Sequence, residues 1–309
     1  MSRDRLQRAG TSLLGLALAD ALGSQFFVPA NRHHLSARSL PPGPWQWTDD
    51  TEMACSVYLI LAGHHAIDQD ALAASFAHRH DFDRGYGPAT NRLLRLVRDG
   101  GDWRALAADL FDGSGSWGNG AAMRVAPLGA FFADDPAEAA RQAALSATVT
   151  HTHPEAVAGA VAVAVAAAYA ADGHLPPGPF IDRILEYVPP GKVHDGIQEA
   201  RRLLTIADPE TAAYFLGNGS TVAAHDTVPF ALWAAAHHRS DYQQAIWTTA
   251  AAGGDIDTTC AIVGGIVAAG LGPDHLPDTW RRAAEPLPDW INPAQPGPKP
   301  PQGQGGPST

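Results

Sequence analysis

The strongest constraint on this chain is a recurrence of Ala- and Leu-rich stretches with helical rather than alternating spacing. They cover 13–22, 51–62, 70–80, 89–98, 136–146, 154–171, 196–206, 228–237, 242–252 and 258–269. Helix-start signals agree: Pro136 follows Asp134-Asp135 and Pro154 follows His153, positions where a first helical turn tolerates proline. Clusters such as Pro41-Pro42-Gly43-Pro44 and Pro176-Pro177-Gly178-Pro179 separate the stretches. Alternation occurs only over 161–165, inside an Ala-rich run, and reads as part of a buried helix. The expected fold class is all-α, a single compact helical domain over residues 1–292. From Pro293 onward Pro, Gly, Gln and Ser dominate, a composition that buries too little to fold, so 293–309 is expected to be a disordered tail.

Composition narrows the function classes. The chain has 309 residues, 45% hydrophobic and 17% charged, enough to bury a large core. Its formal net charge of -11 and pI ≈ 5.6 argue against a general nucleic-acid or acidic-membrane surface, which needs clustered Lys and Arg. The two cysteines, Cys55 and Cys260, cannot form a disulfide framework, and a reducing, cytoplasmic setting is expected. Arg3, Arg5 and Arg8 before the apolar run 13–18 imitate a signal peptide, but Asp4 interrupts the positive region. The richest apolar segment, 156–171, reads as too short to span a membrane. No coiled-coil pattern is present, and a monomer is expected.

Two acidic motifs stand at helix starts. Thr48-Asp49-Asp50-Thr51-Glu52 pairs carboxylates with flanking hydroxyls, and Gly253-Gly254-Asp255-Ile256-Asp257-Thr258 leads glycines into the same residue types. Hard divalent cations take such oxygen ligands. Two ions held together can polarise a substrate oxygen and activate a water. Ser, Thr and Asp at helix starts are most often ordinary caps; doubled acids beside hydroxyls, twice in a low-charge chain, favour metal binding.

Between them, Gly113-Ser114-Gly115-Ser116-Trp117-Gly118-Asn119-Gly120 is a glycine-rich loop whose amides suit phosphate. It lacks the Gly-Lys-Ser/Thr of a P-loop and the strand of a dinucleotide fingerprint. Phe111 and Trp117 offer stacking faces, although aromatics more often fill cores. Thr150-His151-Thr152-His153 places two histidines at a helix start, as phosphate or ribose donors or as caps. No third soft ligand lies nearby in sequence to favour zinc. The pairs His33/His34, His64/His65, His78/His80 and His237/His238 read as solvated.

In order, Asp20-Ala21-Leu22-Gly23, Trp47-Thr48-Asp49-Asp50-Thr51-Glu52-Met53, Gly118-Asn119-Gly120 with Met123-Arg124-Val125, Thr150-His151, and Gly253 to Thr258 resemble the ADP-ribosylglycohydrolase family. The resemblance covers residues 15 to about 272. It implies an orthogonal all-α fold with two Mg²⁺ (or Mn²⁺) ions at the base of an ADP-ribose cleft. By motif position, the implied metal ligands are Thr48, Asp49, Asp50, Asp255, Asp257 and Thr258. The implied ADP-ribose contacts are Gly115, Ser116, Trp117, Gly118, Asn119 and His151, with Phe111 where an adenine could stack. The implied reaction is hydrolysis at the anomeric carbon of the distal ribose, with Asp50 or Asp49 as acid/base.

The resemblance breaks at one place. Several members carry a glutamate shortly after the Asp-Ala-Leu-Gly segment; here the stretch runs Ser24-Gln25-Phe26-Phe27-Val28, and Phe27 takes the equivalent position. The arginine-specific branch also lacks that acid. The leading expectation is therefore release of ADP-ribose from an N-linked acceptor such as ADP-ribosylarginine on a protein or small substrate. Two others stay open: hydrolysis of a related small nucleotide or riboside, and non-catalytic ADP-ribose binding.

Overall fold

The computed structural model describes residues 2–173 and 175–291 of the chain. The expected tail, 293–309, lies outside the described residues. In chain order the α-helices are α1 (Ser2–Ser24), α2 (Arg32–Ala37), α3 (Asp49–His64), α4 (Gln69–Arg79), α5 (Pro88–Arg98), α6 (Trp103–Ala108), α7 (Ala126–Phe131) and α8 (Pro136–Thr148). They continue with α9 (Pro154–Asp172), α10 (Pro177–Leu185), α11 (Lys192–Arg202), α12 (Pro209–Leu216), α13 (Ala224–His238), α14 (Tyr242–Ala251), α15 (Ile256–Leu271) and α16 (Asp278–Ala283). No strand occurs among the described residues; two isolated bridges, Trp45 with Ala284 and Gly118 with Ala223, tie loops together. The fold is all-α, as the spacing predicts.

Small residues let the central helices approach closely. A Cβ at Gly15 of α1 would strike Ala268 and the Gly264 carbonyl of α15; one at Gly264 would meet Ala19 and the Gly15 carbonyl. Side chains of that size are what a tight crossing permits, and the contact gains through dispersion rather than large side-chain volume. The same α1–α15 pair carries Asp20 near the end of one helix and Asp257 in the first turn of the other. Gly23 completes the approach, since a Cβ there would lie 2.8 Å from Asp257 Cα. The crossing therefore brings residues more than 230 positions apart to one floor.

Helix α9 corrects an expectation. It is 19 residues long with mean hydropathy 1.6, so by length and composition it is long enough to cross a membrane. Here 72% of its apolar window is buried inside the fold, against α7, α8, α13 and α15, as a core helix would be. The basic residues before Leu13 also belong to structure: α1 begins at Ser2, with Arg5 and Arg8 paired to Asp134. His80 and His237 are half-buried rather than solvated. His80 Nε2 bonds Asn91 at 2.7 Å, and His237 bonds the Trp233 and Leu204 carbonyls, because both rings sit where elements pack.

Candidate metal and ADP-ribose site

Caps separate the bland reading of the acidic motifs from the functional one. Asp68, Asp135, Asp208 and Asp241 each accept from the amide three residues on, as N-caps do. Thr48 and Asp255 occupy the same position at α3 and α15, yet neither side chain makes a capping bond. Thr48 Oγ1 turns to Asp20 and Asp50, and Asp255 Oδ2 to the Asn119 amide.

Asp20 is the brace beneath them. Fully buried, its Oδ2 accepts from Thr48 N at 2.9 Å, Thr51 N at 3.2 Å and Thr51 Oγ1 at 2.5 Å, and its Oδ1 accepts from Thr48 Oγ1 at 2.8 Å. One α1 side chain thus satisfies the orphan amides that α3 exposes at its start. Thr48 Oγ1 also lies 3.1 Å from Asp50 Oδ2, but its single proton is already directed at Asp20 by the shorter contact. Thr258 Oγ1 reaches Asp50 Oδ2 at 3.4 Å, joining the two motifs. Asp50 Oδ1 is buried with no hydrogen-bond partner.

The charges are concentrated and unanswered. One oxygen each from Asp20, Asp50 and Asp257 fall within 4.8 Å of one another, and Asp49 and Asp255 lie beside them. No basic side chain hydrogen-bonds any of the five among the described residues. Burial, assisted by the neighbouring carboxylates, pushes Asp49 up to about 8 and holds Asp50 and Asp257 well above the ordinary range. Burial also lifts Asp20 to about 6, against the four hydrogen bonds that favour its charge. A divalent cation is the partner this donor set fits: all oxygens, several anionic, one with no other bond to make.

The cleft above this floor has a volume of about 460 Å³. Asp49, Asp50, Asp255, Asp257 and Thr258 form its acidic end, and Phe111, Ser116, Trp117, Gly118, Asn119 and His151 line the rest. Phe111, 46% exposed at φ 54°, and Trp117 pack at 4.7 Å between centroids as an aromatic pair. Asn119 is anchored twice, donating to Thr227 Oγ1 at 3.0 Å and to Asp255 Oδ2 at 2.7 Å, so the loop and α15's start share one bond. Thr48 is set one layer back on Asp20. Gly115 also lies behind the lining, buried where a side chain would collide with Thr152 and the His153 amide. Phe27 is half-exposed and not part of the cleft wall, whereas Phe26 is buried against Trp247.

His151 has a defined proton. Arg124, fully buried over the Phe76 ring, donates from Nη1 to Thr150 Oγ1 at 2.9 Å and to the Gly120 carbonyl at 3.1 Å. Thr150 Oγ1 lies 2.7 Å from His151 Nδ1. Its hydroxyl proton has no other acceptor among the described residues, so it donates to Nδ1, and the ring carries its own proton on Nε2. Burial and the Arg124 charge hold the ring's pKa down to about 3, so it stays neutral. The Nε2–H lies beside Gly118 and Gly120: a Cβ at either glycine would come within 3.3 Å of that nitrogen.

Several contributors are not apparent from motifs. Asp20 sits in a quoted motif, but its role depends on where α1 ends relative to α3. Glu52 accepts from Tyr86 Oη at 2.6 Å and Asp81 N at 3.1 Å, fastening α3 to the segment whose Gly85, Gly87 and Pro88 form one wall. Thr221 and Val222 form another, with Val222 O accepting from Asn119 N. None of these has a local signature beyond a glycine or two.

With fold and floor described, the class is clear: an all-α hydrolase fold with an acidic cluster under a glycine–aromatic cleft. The sequence matches the ADP-ribosylglycohydrolase family over residues 1–295, and the chain belongs to that family. It is 28% identical to human ADP-ribosylhydrolase ARH3, covering 91% of this chain and 90% of that protein. It is 27% identical to the ADP-ribosylarginine hydrolase Tri1 of Pseudomonas putida (strain GB-1), covering 89% and 73%. A solved ADP-ribosylglycohydrolase-related protein complex matches with TM-score 0.67 and 25% identity, over 92% of this chain and 94% of that one.

Proposed function

We propose that the protein is a divalent-cation-dependent hydrolase that releases ADP-ribose from an N-linked acceptor, ADP-ribosylarginine being the first candidate. The observation that carries this is Asp50: a buried carboxylate with a free oxygen, among like charges, at helix starts that forgo their caps. Thr48, Asp49 and Asp50 on one side, and Asp255, Asp257 and Thr258 on the other, would hold two Mg²⁺ or Mn²⁺ ions. When bound, such ions polarise ribose hydroxyls and a water.

The chain's own residues do the rest. The Phe111–Trp117 pair stacks the adenine, and the 116–120 loop with His151 Nε2–H takes the diphosphate. That leaves the distal ribose over the acidic floor. Water oxygen bonds to the anomeric carbon as the carbon–nitrogen bond breaks; the nitrogen leaves with the electron pair and is protonated, and the water's proton passes to a carboxylate. Asp49 is the better proton carrier of the adjacent pair, because it lines the cleft and is only partly buried, while Asp50 is buried and engaged by Thr258. The arginine-type acceptor is supported by the missing acid at Phe27 and by the name of the Pseudomonas relative.

Asp50→Ala and Asp257→Ala should abolish both Mg²⁺ binding by calorimetry and ADP-ribose release from a modified arginine peptide. Asp49→Asn, which keeps an oxygen ligand but not the charge, should weaken cation binding without abolishing it and, at saturating Mg²⁺, still lose at least about 100-fold in kcat, the scale of a general acid/base. Full activity of the first two, or of chelator-treated enzyme, would refute the mechanism.

A further inference from the structure

Helix α5 has a face that the cleft does not use. It carries Arg92, Arg95 and Arg98 and no acidic residue. Acids outnumber Lys and Arg by 32 to 21 in this chain, and arginines elsewhere find them: Arg104 with Asp70, Arg141 with Glu138, Arg201 with Asp182. Arg92, Arg95 and Arg98 are exposed and form no ion pair among the described residues. All three line one groove of about 780 Å³. A favourable helix dipole accounts for basic residues in the last turn, Arg95 and Arg98, but not for Arg92 or for their shared groove.

The groove is placed where an acceptor would emerge. Pro88 belongs to the walls of both the groove and the cleft. Just before it, Gly85 lines the cleft and a Cβ there would lie 3.7 Å from Asp49 Oδ1, so the shared wall stands beside the acidic end of the cleft. The groove is also lined by Phe82, 74% exposed. The acid on this rim, Asp81, is already engaged: its Oδ1 accepts from Asp83 N and its Oδ2 lies 3.7 Å from Arg84 Nε.

We propose that this groove docks the acceptor, and that its partner is a short acidic peptide segment with an apolar residue, flanking the modified side chain. This deepens the function proposed above and rests on it. Along a helix rising 1.5 Å per residue, Arg92 to Arg98 span about 9 Å, the length of roughly three extended peptide residues. Two or three carboxylates can therefore pair with the guanidiniums while Phe82 covers the apolar side chain. A nucleic-acid strand fits less well: its charges continue past the groove, where exposed Asp83, Asp99 and Asp102 would repel them.

The test compares two arginine-ADP-ribosylated peptides, one flanked by Glu and Phe and one by Gln and Ala, with an ADP-ribosylated oligonucleotide. Wild type and Arg92→Gln/Arg95→Gln/Arg98→Gln are assayed, with Arg95→Gln alone as a milder variant. The acidic peptide should show a KM about tenfold below the neutral one in wild type. The triple variant should lose that preference, the single variant part of it, and kcat on the neutral peptide should not change. Equal KM values in wild type, or a preference that survives in the triple variant, would overturn the proposal. So would a tenfold preference for the oligonucleotide that the triple variant abolishes. Binding of the unmodified fluorescein-labelled acidic peptide is measured in parallel. If no ADP-ribosyl substrate turns over, the function proposed above fails, while arginine-dependent binding of that peptide still decides the groove.

Discussion

Asp20, Asp49 and Asp50 are chemically identical side chains given different work by their neighbours. Asp20 spends both oxygens on Thr48 and Thr51 and becomes scaffold. Asp50 keeps one oxygen free, and Asp49 faces the cleft. The same local logic governs His151, whose proton position is set two bonds away by Arg124 through Thr150. Thr150→Val preserves shape but removes the hydroxyl. It should leave His151 as a mixture of tautomers by ¹⁵N NMR and weaken ADP-ribose binding about tenfold, near 1.4 kcal/mol. Thr150→Ser should restore both; an unchanged affinity in Thr150→Val would remove His151 from the phosphate-binding role. The aspartate doublets and the Thr150-His151 pair were visible as motifs. The proton on Nε2 was not, because it depends on an arginine 26 positions away.

At the scale of helices, the site is a by-product of how closely α1 and α15 cross. Gly15, Gly264 and Gly23 permit the approach, and Asp20 and Asp257 meet because of it. Gly264→Val should wedge the pair apart at a cost of about 1–3 kcal/mol, the usual penalty for overpacking. Mg²⁺ affinity should fall with it, although the variant touches no ligand. Chemical denaturation and calorimetry measure the two effects, and a destabilised variant with unaltered cation binding would show that the crossing does not set the floor. The long helices α3, α4, α5, α8, α9, α13, α14 and α15 were legible because each repeats its apolar spacing for about three turns or more. The short ones, α2, α6, α7, α10, α12 and α16, have at most 9 residues and too few repeats to stand out. They are held by packing rather than by their own periodicity.

For the molecule as a whole, the acidic floor is a store of repulsion that couples stability to pH and would couple it to a bound cation. In the unfolded chain these aspartates titrate near 3.8; in the metal-free fold Asp20 holds its proton to about 6 and Asp49 to about 8, with Asp50 and Asp257 also raised. A raised folded pKa means that the fold binds more protons than the unfolded chain. The associated stability is full below about pH 4 and is lost as pH climbs through about 6 and about 8. Chelated protein should therefore melt at least about 5 °C lower near pH 8.5 than near pH 5.5. Mg²⁺ at about 100 times its Kd should return about 2.7 kcal/mol at the higher pH. A Tm that is flat with pH, or unmoved by Mg²⁺, would contradict the coupling. Sequence alone determined the all-α class, the long helices and the two acidic motifs with the glycine loop between them, since helical period and oxygen-rich clusters are local properties. Tertiary structure decided that those helix starts are not caps, that Asp20 underlies them and that the arginine face of α5 lines a groove sharing Pro88 with the cleft wall. Each of these depends on a distance between residues far apart in the chain, which no local pattern encodes.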